Sequence, residues 1–84
     1  MGVNKGEIET LDLLGLKCPL PALYARRALE RAGAGAVIAV IADDPLAGVD
    51  VPHMCSREGY EVVSSERTGQ VTRLVLRRPA RPAS

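Results

Sequence analysis

Phenylalanine and tryptophan are missing from this 84-residue sequence, and Tyr24 and Tyr60 are its only tyrosines. Proteins that grip single-stranded nucleic acid stack bases on aromatic rings, so the composition argues against a base-binding surface. Charge of one sign is also lacking: 11 Lys and Arg stand against 10 Asp and Glu, for a net +1. That removes the whole-domain electrostatic case for nucleic acid. The cations are uneven, because Arg67, Arg73, Arg77, Arg78 and Arg81 follow Glu66 with no acid among them. A small RNA-binding module is therefore a reading to weigh, and the weakest one.

Long apolar runs are absent too. None reaches the ~18 residues that a membrane span requires, so no membrane partner is expected. The opening "MGVNKGEIET" lacks the apolar stretch of a secretory signal, which makes the cytoplasm the expected location. Histidine occurs once, at position 53, and cysteine twice, at 18 and 55, without CxxC spacing. Two distant cysteines do not make a disulfide scaffold in a cytoplasmic chain. On a helix, His53 and Cys55 would point in different directions, so no metal site is expected, and no cofactor.

What is present reads as one short domain. Its expected limits are 7–78, flanked by a flexible N-terminus over 1–6 and a disordered basic tail over 79–84. Residues 7–13 alternate as a half-exposed strand with Leu11 and Leu13 on one face. From Pro19 to about Ala32, positions 21, 24, 25, 28, 29 and 32 are apolar or small, the spacing of an amphipathic helix. Gly33 and Gly35 supply its stop. "AVIAVIA", 36–42, reads as a central strand. Asp44–Pro45 and Asp50–Val51–Pro52 each resemble a helix start, with acid at the boundary and proline in the first turn. The second helix is placed from about Asp50 to Glu58, with Gly59 closing it. "YEVVSSE" and "VTRLVLR" are then two strands joined across Arg67–Gln70. The order β-α-β-α-β-β gives a two-layer α/β sandwich with both helices on one face of a four-stranded mixed sheet, in strand order 1-2-4-3. With only one face covered, part of Val37, Ala39 and Ile41, or of Ile38 and Val40, should lie exposed as an association patch.

"GLKCPLPALYARR", residues 15–27, is the stretch that points to chemistry. A cysteine stands at the mouth of the first helix, where Ser, Thr, Asp or Asn is usual. Unpaired N–H groups and the positive end of the helix dipole favour a thiolate there, and Lys17 adds a cation. Pro19 and Pro21 stiffen the mouth without wasting a needed donor. A low thiol pKa at Cys18 is the expectation. Free cysteine is more often an inert buried hydrophobe, and that reading holds for Cys55 inside the second helix. His53 reads as a surface histidine, and Asp44 and Asp50 as helix caps.

"LDLLGLKCPLP" (Leu11–Pro21) resembles the L-D-x-x-G-L-x-C-P-x-P pattern of the TusA/SirA family of sulfur-carrier proteins. "DDPLAGVDVPHMCSREGY" (Asp43–Tyr60) is similar to the family's second block, in the right order and at the right spacing, so the resemblance covers about residues 8–77. It implies the β-α-β-α-β-β sandwich already read from the residues. It also implies that Cys18 forms a persulfide, taking sulfur from a cysteine desulfurase or rhodanese-type donor. The acceptor would be another protein, in tRNA thiolation or other sulfur trafficking. At the position of Met54 the family often carries a large aromatic.

A persulfide is more acidic than a thiol, so a helix N-terminus suits it as well. Turnover of a small substrate would want a general base and a shaped pocket. No histidine lies near Cys18 in sequence and the chain is short, so a carrier is favoured over a stand-alone enzyme. Arg26, Arg27 and Arg31 on the outward face of the first helix could dock an acidic partner. The competing class is a thiol redox or regulatory protein pairing Cys18 with Cys55 or another chain. It is weakened by the lack of a nearby resolving cysteine.

Overall fold

The apolar strings at 11–13, 38–42 and 72–76 settle as neighbouring strands, and two amphipathic helices close over them. The computed structural model describes residues 8–80 and runs β1 (Glu9–Asp12), α1 (Leu20–Ala32), β2 (Val37–Ala42), α2 (Ala47–Glu58), β3 (Glu61–Thr68) and β4 (Val71–Arg77). The expected flexible 1–6 lies outside the described residues, as does 81–84 of the expected tail. The sheet order is β1-β2-β4-β3. β1 and β2 are parallel, with Leu11 opposite Val40, and α1 is the crossover that such a pair requires. β4 then pairs antiparallel with both β2 and β3.

Alternation along β2 and β4 sends Ile38, Val40, Ala42, Leu74 and Leu76 to the helix side, where all are buried. Pro21, Ala25 and Leu29 of α1 come down on them at four-residue spacing. Ala47, Val51, Met54 and Cys55 of α2 do the same and join that core. Each large aliphatic side chain buried in this way contributes about 1.5–3 kcal/mol.

The opposite sheet face differs from expectation. Ala39 and Val75 face each other there yet are only 0% and 7% exposed, and Val37 and Ile41 are half-buried. In register, Arg73 lies opposite Ile41 and Arg77 opposite Val37, so aliphatic arginine stems flank the apolar pair. Glu61 pairs with Arg77 at 2.8 Å, and the bond holds the Glu61 carboxyl below its usual range. The expected apolar patch shrinks to the edges of two residues.

Two boundaries move. β1 is shorter than 7–13, and α2 starts at Ala47 rather than Asp50. The Asp44–Pro45 turn is the true start: the Leu46 N–H donates to Asp44 Oδ2 at 3.0 Å and the Ala47 N–H to the Asp44 carbonyl at 3.0 Å. Pro52 therefore sits inside the helix instead of at its first turn. Ala47 and Val51 are the reason, since starting at Asp50 would leave the first turn of the apolar stripe unburied. Gly59, at φ +80°, ends α2 in the left-handed conformation, and the Tyr60 N–H donates to the Cys55 carbonyl.

Candidate functional site: an exposed thiol between two helix mouths

Because β1 and β2 are parallel, the loops leaving their C-terminal ends open at the same pole of the sandwich. Residues 13–19 lead into α1 and residues 43–46 into α2, so both helix N-termini meet there. The first loop is tied down by short bonds. The Leu14 N–H donates to Asp12 Oδ1 and the Gly15 N–H to Asp43 Oδ1, each at 3.0 Å. Gly15 has φ +84°, which favours glycine at this turn. Asp43 thus links the end of β2 to the segment that carries Cys18.

Cys18 is exposed and precedes the helix cap rather than forming it; Pro19 occupies the cap and Leu20 is the first helical residue. Beside it an open groove of ≈ 380 Å³ runs between the helices. Pro19, Ala22, Leu23 and Arg26 form the α1 wall. Asp50, His53, Met54, Arg57 and Glu58 form the other, the i, i+3, i+4, i+7, i+8 stripe of one face of α2. His53, read from sequence as a mere surface residue, lines the same groove as the thiol. Helical spacing from Asp50 was the signal for it, available once α2 is placed correctly.

The thiol's electrostatics reverse the expectation. The Cys18 pKa is raised from its ordinary value, first by its side-chain interaction with the Asp50 carboxylate, then by desolvation and by the charges of Asp50 and Asp44. The helix mouth explains why its dipole does not prevail. Pro19 and Pro21 have no N–H, the Leu20 N–H is taken by the Lys17 carbonyl at 2.8 Å, and the Leu23 N–H by the Pro19 carbonyl at 3.1 Å. Few donors remain to face the sulfur. Lys17 is exposed but is not among the groups that shift it, and Pro21 is buried against the core.

The three arginines do not form one face. Arg26 lines the Cys18 groove and lies 3.9 Å from Glu30 and 3.8 Å from Glu58. Arg27 and Arg31 line a second open groove of ≈ 370 Å³ with Leu11, Leu16 and Tyr24, on the other flank of α1. Exposed apolar side chains lie in the segments that form the Cys18 pole: Leu14 and Leu20 from the first loop and α1, Leu46 (52%) and Val49 (64%) from the start of α2. Cys55 is the opposite kind of thiol. It is 1% exposed, and burial pushes its pKa up to about 11. Among the described residues no group of three or more His, Cys, Asp and Glu could hold a metal ion, and no helix is long and apolar enough to cross a membrane.

Fold and site define a class: a small two-layer sandwich that presents a free thiol at the mouth of its first helix. The chain belongs to the sulfurtransferase TusA family, whose model matches residues 9–78. Among solved structures it is similar to the SirA-like protein from Desulfitobacterium hafniense, at 28% identity and a TM-score of 0.75. That match covers 86% of this chain and 99% of the other.

Proposed function

We propose that the protein is a sulfur carrier in which Cys18 holds sulfane sulfur as a persulfide. A cysteine desulfurase or rhodanese-type enzyme supplies the sulfur, and an acceptor protein in tRNA thiolation or other sulfur trafficking receives it. The observation that supports this most is the contrast between the two thiols within a TusA-family fold. Cys18 is exposed at a pole with apolar side chains around it, while Cys55 is sealed in the core. Such a sulfur is reached by a protein surface more readily than by a buried-pocket substrate. Leu14, Leu20, Leu46 and Val49 supply the apolar part of that contact, and Arg27 and Arg31 add charge at its flank. The same contrast weighs against a redox device that pairs Cys18 with Cys55.

Incubation with a cysteine desulfurase, cysteine and pyridoxal phosphate tests the reading by intact mass. One added sulfur, about 32 mass units, is expected on the wild type and on Cys55→Ala, and none on Cys18→Ala. Failure to gain sulfur from both desulfurase and rhodanese donors contradicts it.

A further inference from the structure

We propose that Asp50 is a positioning residue of the sulfur site: its unpartnered carboxylate lies in the groove beside Cys18 and governs how readily the unloaded sulfur reacts. The inference rests on Cys18 being the sulfur-bearing residue. Asp50 and Cys18 line one groove, Asp50 from α2 and Cys18 from the entry to α1. Asp50 Oδ2 is buried without a hydrogen-bond partner, and Arg26 Nε of the same groove is the other such side-chain atom found among the described residues. A buried carboxylate oxygen left unpaired costs stability, so its placement calls for an explanation.

Capping is not that explanation. Leu46 holds the N-cap position, and the turn into α2 is bonded to Asp44. Asp50 lies four residues further on, with its side chain turned to the groove. The "DVP" segment that resembles a helix start is therefore free for another use.

The charges around the sulfur support the assignment. Lys17 adjoins it in the chain, and Asp44 acts on it from the loop before α2. On α2, Asp50 and His53 stand in the first turns, while Arg57 and Glu58 lie two turns away. From α1, Arg26 is likewise two turns along and already faces Glu30 and Glu58. Of the two carboxylates that act on the sulfur, Asp50 acts more strongly than Asp44, and a carboxylate facing an anion raises that anion's energy.

Loading balances without any added oxidant. The Cys18 sulfur forms a bond to the terminal sulfur of the donor's persulfide, and the donor's own S–S bond breaks. The electron pair goes to the donor's inner sulfur, which takes up the proton that Cys18 gives up. Cys18–SH and R–S–SH become Cys18–S–SH and R–SH. Retaining that proton in the free carrier keeps the sulfur unreactive toward stray electrophiles, since the thiolate is the nucleophile.

The experiment uses full-length protein carrying Cys55→Ala, so that only Cys18 reports. Iodoacetamide alkylation rates are measured against pH for the parent, Asp50→Asn, Asp50→Glu and Asp44→Asn, at about 0.05 M and about 1 M salt. Asp50→Asn should move the profile to lower pH and alkylate several-fold faster at pH 7. Asp44→Asn should do so less, Asp50→Glu should restore the parent profile, and high salt should speed the parent but not Asp50→Asn. Superimposable profiles for parent and Asp50→Asn, with unchanged circular dichroism, overturn the proposal. If Asp50→Asn does not fold, the parent decides: a rate at pH 7 that ignores salt overturns it. Alkylation reads the unloaded thiol. A failed profile therefore leaves sulfur loading intact, and failed loading with a shifted profile overturns the carrier reading alone.

Discussion

Raising the pH from 8 to 11 under reducing conditions should destabilise the wild type more than Cys55→Ala. Burial raises the Cys55 pKa from the ordinary 9.0 to about 11. Between those values the folded state keeps a proton that the unfolded chain has lost. The stabilisation is therefore complete below pH 9 and lost as pH rises through the folded value. Two pKa units at 1.36 kcal/mol each give about 3 kcal/mol, a large part of the margin of a domain this size. Tyr60 and the other titrating groups change equally in both proteins, so the difference between the two isolates Cys55. Urea unfolding of both, at pH 8 and at pH 11, measures it. At pH 8, Cys55→Ala should be the less stable protein, because its cavity lies in the core. By pH 11, where the folded thiol is half ionised, the gap should narrow by about 2 kcal/mol. A gap independent of pH would show that Cys55 is not sealed from water, and would reopen the redox reading.

Arg78→Ala should lower stability by roughly 1–2 kcal/mol. Arg78 Nη1 donates to the Leu29 and Glu30 carbonyls at 3.2 and 3.0 Å, closing the C-terminus of α1, and a fall of several degrees in Tm by circular dichroism checks it. Leu29→Ala, at a fully buried site, should cost about 2–5 kcal/mol in urea unfolding. Val49→Asp should leave Tm almost unchanged, because the side chain is exposed, yet slow sulfur loading from a desulfurase in a timed intact-mass assay. Arg27→Glu should slow loading more than Arg26→Glu, since Arg26 is already faced by two glutamates, and the effect should shrink in high salt.

The order of elements was legible because each apolar string has its own signature: a short continuous run over 36–42 between glycine and Asp43–Asp44–Pro45, and a spacing of three to four along 21–29. Strand order followed from that succession and from the family resemblance. The start of α2 was misread because Asp44–Pro45 and Asp50–Val51–Pro52 carry the same local signal. Only the tertiary burial of Ala47 and Val51 decides between them. Cys18 was legible as the residue of interest from its proline-flanked place at a helix mouth. Its electrostatics were not, because Asp50 lies 32 positions away in sequence and reaches the thiol only when α2 packs beside α1. The same packing brought His53 into the groove and parted Arg26 from Arg27 and Arg31. It also let Arg78, far along the chain, close α1.

Locating the transferred sulfur tests the central claim most directly. After loading by a desulfurase, the protein is alkylated with iodoacetamide and cut with trypsin, which releases Cys18 in residues 18–26 and Cys55 in residues 32–57. The account predicts the alkylated 18–26 peptide heavier by one sulfur, about 32 mass units, with residues 32–57 unchanged. Sulfur on the peptide holding Cys55, or on neither peptide, would contradict it.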